Sequence, residues 1–228
     1  MQQGSRYFPA HSNAEKVDRK DTEKQHKTLY AMRSFLFKDV SRLKNPFTHV
    51  VVFSDAQKQE IFNLLEPGDL VLTYTAGYMS DVFIPGAFKH GITYIGTPED
   101  RESMGLSANM LPPDERFEVQ ELTANLQASS LPDGTQADMI EAVAEGVIFN
   151  DLEHIMDTHI NRRLVLRPQL REAERAAFLV EVYSYLGDGY DFRFDFAEAS
   201  QQVCTEVIYR AINNKGSIDF ALTERAGH

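Results

Sequence analysis

The chain holds a single cysteine, Cys204, in "QQVCTEVIYR", and a histidine, His90, in "AFKHGITYIG". A lone cysteine with histidines elsewhere in the chain is the pattern of a thiol nucleophile and its base. That chemistry has definite requirements. An ordinary thiol, with a pKa of about 8.5, is only a few per cent thiolate at neutral pH. A helix N-terminus and an adjacent imidazolium both favour the anion. An imidazole that accepts and then returns a proton needs its other nitrogen held by an acceptor. A carboxylate does this and also stabilises the imidazolium. Each residue has an ordinary reading as well. A histidine at the mouth of a strand is usually a surface or hydrogen-bonded residue. Cys204 shares an apolar stripe with Val203, Val207, Ile208, Ala211 and Ile212, so it could simply be packed in the core.

The elements that would position these residues follow from periodicity. Residues 1–12 are polar and irregular, and Ala14 to about Lys44 reads as a helix, with Leu29, Met32, Leu36, Val40 and Leu43 at helical spacing. A short helix at about Ala56–Leu65 follows Ser54 and Asp55, either of which can cap it. "EPGDLVLTY" is a turn feeding a strand, and a second strand runs His90–Ile95. Residues 97–137, with Pro98, Pro112, Pro113, Pro132 and Gly134 among many polar residues, form a long insertion with one expected strand at "FEVQEL". Both ends of that insertion are expected near the active-site side of the sheet, making it a flap over the cleft.

Beyond it, "MIEAV" and "GVIFN" are strands joined by a turn near Glu145–Gly146. "DLEHIMDTHI" is a short helix, and "RRLVLRP" a strand stopped by Pro168. "QLREAERAAFLVEVYSYLG" is an amphipathic helix ending at Gly187. The loop "DGYDFRFDF" leads to a last helix at about Glu198–Asn213, which contains Cys204. The layout is α+β, a small antiparallel sheet packed with helices.

Composition narrows the function. The chain has 228 residues, 43% hydrophobic and 25% charged, the balance of an ordinary globular protein with room for one substantial domain. Its net charge of −11 repels a phosphate backbone, and "NRRLVLR", the only short basic cluster with an apolar core, is explained equally well as a strand with charged ends. Nucleic-acid binding is disfavoured. No apolar run is long enough to span a membrane, so no stable membrane insertion is expected. Met1–Arg6 lacks the apolar core of a signal peptide. The default location is the cytoplasm, or the cell envelope if a leader has been removed.

Metal and nucleotide chemistry have poor candidates. His154 and His159 are five apart, off the spacing that puts two ligands on one helical face, and Asp157 beside His154 reads as structural or solvent-facing. Asp188, Asp191 and Asp195 lack the glycine spacing and terminal glutamate of a calcium loop. Glycine-rich phosphate loops are absent. No cofactor or metal is expected.

The stretches "PGDLVL", "KHGITYIG", "MIEAVAEGV", "LVLRP" and "YDFRFDF…CTEVIYRA" occur in that order over roughly Glu66–Ala211. In this they resemble the papain-like cysteine hydrolases of the NlpC cell-wall peptidase superfamily in their circularly permuted form. The likeness is greatest to the YiiX/YebB-type permuted amidases, whose distant relatives include the lecithin:retinol acyltransferases. In the unpermuted family the cysteine helix precedes the sheet, whereas Cys204 follows it. The resemblance implies a nucleophile at Cys204, at the start of its helix, and a base at His90. It places Glu141 where cell-wall members carry a polar residue, often histidine, that orients the base, and Tyr190 where the family has a tyrosine near the oxyanion. Glu141 could instead face solvent on the outer side of its strand, and Tyr190, in a loop with Phe192, Phe194 and Phe196, could serve aromatic packing.

The implied protein has a tail and helical extension over 1–65 and a catalytic domain over 66–228, with the insertion at 97–137. The implied activity is thiol-dependent hydrolysis of a small-molecule or peptide acyl amide. Lipid acyl transfer or deacylation by the same thioester chemistry is the second class, and an inactive binding module that keeps the fold the third.

Overall fold

The computed structural model describes residues 53–74, 88, 90–112, 114, 117–128, 130–158, 162–191 and 201–218. The helix expected from Ala14 to Lys44 lies outside them, as do most of the aromatic loop after Tyr190 and residues 198–200 at the expected start of the last helix.

The described chain is α+β. Helix α1 (Asp55–Leu64) opens at Ser54, whose hydroxyl accepts from the Gln57 backbone N–H at 3.3 Å while Gln57 Oε1 accepts from Ser54 N–H at 3.0 Å. Ser54 is therefore the cap, and Asp55 is the first helical residue. Strands β1 (Leu70–Tyr74), β2 (His90–Tyr94), β3 (Met139–Val143), β4 (Gly146–Asn150) and β5 (Arg162–Leu166) form one antiparallel sheet in the order β4-β3-β2-β1-β5. Alternation of side chains gives each face its own core. On one face Val71, Ile92, Tyr94 and Met139 meet Ile61 and Leu65 from the α1 region and Leu152, Ile155 and Met156 of helix α4 (Leu152–Thr158). On the other, Leu70, Ile140 and Ala142 meet Phe178, Leu179, Val182 and Tyr183 of helix α5 (Glu172–Ser184) and Val207, Ile208, Ala211 and Ile212 of helix α6 (Cys204–Ile212). Each such large side chain, fully buried, contributes roughly 1.5–3 kcal/mol relative to exposure.

Edge strand β5 is fastened by charge. Arg167, just past its end, forks onto buried Asp69 with Nε and Nη2 each at 2.8 Å, and reaches Glu66 at 2.6 Å through Nη1. The planar guanidinium matches a carboxylate edge, which fixes the start of β1 against the end of β5.

The insertion departs from expectation in two respects. "FEVQEL" is no strand; its last residues begin helix α3 (Val119–Gln127), following helix α2 (Pro98–Ser103) and a short 3-10 turn at Ala108–Met110. Leu122 and Leu126, four apart, turn toward α5, and that helical spacing outweighs the short alternation before it. The ends of the insertion are also not beside His90, where they were expected. The insertion leaves from the Tyr94 end of β2 and returns into the Met139 end of β3, residues that pair with one another. His90 lies at the other end of β2, about 14 Å away at roughly 3.4 Å per residue. Arg101 closes the base of the insertion, its Nη1 donating to Gly96 O at 2.5 Å and Ala137 O at 3.1 Å.

The last helix also starts later than Glu198. Gln201–Gln202 form strand β7, which runs parallel to β6 (Gly189–Tyr190), and α6 begins at Cys204. The cysteine is the first residue of its helix.

Candidate active site

Strand register brings His90 and Glu141 together. Glu141 pairs directly with Ile92, and His90 is two residues from Ile92 on the same strand, so the two side chains share a face as diagonal neighbours. His90 Nε2 and Glu141 Oε2 are 2.6 Å apart. Glu141 is buried and does not face solvent.

A third residue, unmarked in the sequence reading, completes the row. Asn150 of β4 donates from Nδ2 to Glu141 Oε1, while its Oδ1 accepts from the Asp151 N–H at 2.8 Å. The second bond fixes the amide's orientation, so the nitrogen faces the carboxylate. A polar residue ending the strand "GVIFN" was the available signal, but only the register shows that it reaches Glu141.

Cys204 arrives from the opposite face of the sheet. Helix α6 crosses β2 at Gly91, where a methyl group would stand 2.8 Å from Ile208 Cδ1 and 3.9 Å from the Cys204 carbonyl oxygen. The missing side chain lets the first turn of α6 come up against the start of β2. There the thiol comes within electrostatic reach of the His90 ring and of the backbone N–H groups of Gly91 and Thr205. Because Nε2 is engaged by Glu141, Nδ1 is the nitrogen left for sulfur.

These contacts set the charge state. Burial pushes the Cys204 thiol up, but the His90 charge, the His90 hydrogen bond and the two backbone N–H groups outweigh it, and the net shift is downward. Burial pushes the His90 imidazolium down, yet the thiolate and Glu141 bring it up to about 10. Both shifts favour the thiolate–imidazolium pair over the neutral thiol and imidazole. Cys204 as a whole residue is only 7% exposed, and the His90 side chain is 27% exposed.

Tyr190 is buried at the end of β6, opposite Gln202 of β7, two residues before Cys204. Its phenol is held well above the ordinary value by burial, then by the charges of Cys204 and Asp191, so it stays protonated beside the sulfur. All four residues singled out in the sequence are thus brought to one end of the sheet. Among the described residues, concavities of about 540 and 320 Å³ lie along the insertion, and neither of these includes Cys204 or His90. Among the described residues no group of three or more histidine, cysteine, aspartate or glutamate side chains is placed to hold a metal ion, and no helix is long and apolar enough to cross a membrane.

Comparison of the chain with family models, curated proteins and solved structures gave no match.

Proposed function

We propose that the chain is a thiol-dependent hydrolase of the amidase or peptidase type, acting through Cys204, His90 and Glu141. The observation that carries this reading is the convergence of thiol, imidazole and carboxylate from three separate elements, with the imidazole bridging the other two. The order of parts, sheet strands before the nucleophile helix, supports the likeness to circularly permuted papain-like enzymes of the NlpC superfamily.

The Cys204 thiolate attacks the substrate carbonyl carbon, forming a C–S bond and placing negative charge on oxygen. Backbone N–H groups at the start of α6 and the Tyr190 hydroxyl are the donors proposed to stabilise that charge. The His90 imidazolium gives its proton to the leaving amine as the C–N bond breaks, leaving a thioester. Neutral His90 then takes a proton from water as the water oxygen attacks the thioester carbonyl. The C–S bond breaks, the acid departs and the thiolate–imidazolium pair returns. Glu141 holds the ring and stabilises its charge throughout.

An amide rather than a membrane lipid is the favoured substrate, because a net charge of −11 is repelled by anionic lipid surfaces. The test exposes the protein to small acyl amides, small acyl esters and anionic phospholipid vesicles. It follows amine release and the intact mass of the protein. An acyl adduct on Cys204 with amine release, both lost in Cys204→Ala, is expected. Cleavage of vesicle phospholipid with amides untouched would move the assignment to lipid chemistry, and no adduct from any substrate would reduce the fold to a binding module.

A further inference from the structure

Beneath the nucleophile lies a charged pair that the chemistry above does not use. Glu206, the third residue of α6, is wholly buried. A carboxylate in that position is costly unless paired and hydrogen-bonded. Both of its oxygens are engaged. Oε1 accepts from Arg210 Nε at 2.8 Å and Nη2 at 2.6 Å. Oε2 accepts from the Val203 N–H at 3.4 Å. Val203 immediately precedes the nucleophile, so the carboxylate reaches back to hold the residue that sets the entry of Cys204 into its helix.

The same carboxylate carries a penalty. A negative charge within one turn of Cys204 disfavours the thiolate. Arg210, one turn further along, carries the opposite charge and remains partly open to solvent. We propose that Glu206 and Arg210 are a charge-balanced positioning pair, Glu206 fixing the helix start under Cys204 and Arg210 cancelling its charge at the thiol. An apolar residue would fill the space without the desolvation cost, but it could not hold the Val203 N–H.

The charged and titratable groups around the pair are consistent with this balance. On its own helix stand Cys204, Tyr209 and Arg210. From β6 and the residue after it come Tyr190 and Asp191, and from the sheet His90 and Glu141. Glu181 of α5 sits 3.7 Å from Lys215 and so has a cation of its own. Burial raises the Glu206 carboxyl above its ordinary value, Asp191 adds to this, and Arg210 opposes it. Without Arg210 nothing among these groups would offset the carboxylate beside the thiol except His90, which is already committed to the sulfur.

This inference rests on the hydrolase reading, and its test separates the two. Alkylation of Cys204 by iodoacetamide is measured against pH in the full chain for the wild type, Glu206→Gln, Arg210→Met and the double variant, with near-ultraviolet circular dichroism reporting the fold. Glu206→Gln keeps an acceptor for Val203 and removes the negative charge one turn from the thiol, so the midpoint moves down by roughly one pH unit. Arg210→Met leaves the carboxylate uncompensated, so the midpoint moves up, and the double variant returns toward the wild type. Should Arg210→Met fail to fold, the double variant must still lie above Glu206→Gln and near the wild type. Coincident midpoints for those two, or single-variant shifts in one direction, overturn the proposal. A wild-type midpoint already in the ordinary thiol range would instead contradict the catalytic reading itself.

Discussion

His90 Nε2 and Glu141 Oε2 lie 2.6 Å apart although 51 residues separate them in the chain. The bond ties Glu141 to the imidazole rather than leaving it a bystander on the strand. It also orients the ring, leaving Nδ1 to the thiol. Replacing the carboxylate by an amide of the same shape retains a hydrogen-bonding partner but removes the charge that stabilises the imidazolium. In Glu141→Gln the His90 pKa should therefore fall from about 10 toward the ordinary imidazole value. Titration of the ring nitrogens by NMR reads this directly, and turnover should drop on the order of a hundredfold or more. An unchanged titration would remove Glu141 from the site.

Gly91 is where helix and strand meet, and its role is packing rather than chemistry. A methyl group there would stand 2.8 Å from Ile208 Cδ1, so either the side chain or the helix must yield. Gly91→Ala should cost about 1–3 kcal/mol in denaturant melts. Ile208→Val removes the clashing methyl, and the double variant should recover part of the loss. If Gly91→Ala melts like the wild type, the close approach of α6 to β2 is not what that glycine serves.

Much of this arrangement was legible in the sequence, and the parts that were not share a cause. Strands β1 to β5 and helices α1, α4 and α5 follow from local periodicity, because each buries one face against a core. The start of α6 was placed too early because Gln201–Gln202 pair with Gly189–Tyr190, a contact that no local pattern reports. "FEVQEL" was misread because a short alternation precedes the helical spacing of Leu122 and Leu126. Asn150 was missed because its meaning depends on strand register. Cys204 had two readings, core residue and nucleophile, and its surroundings contain both. It belongs to the core cluster with Val207 and Ile208, and its sulfur is surrounded by hydrogen-bond donors.

The thiolate–imidazolium pair is the centre of the account, and its pH limits follow from the two shifts. The Cys204 pKa is lowered, so the thiolate persists below the ordinary thiol range and is lost as pH falls through that lowered value. The His90 pKa is raised, so the imidazolium persists until pH rises through about 10. The measurement that tests this most directly is the rate of Cys204 alkylation by iodoacetamide against pH, in the native wild type and in His90→Ala. The account predicts a wild-type midpoint well below about 8.5, moving back up toward that value when the imidazole is removed. A native thiol that reacts only after unfolding, or a midpoint indifferent to His90→Ala, would contradict it.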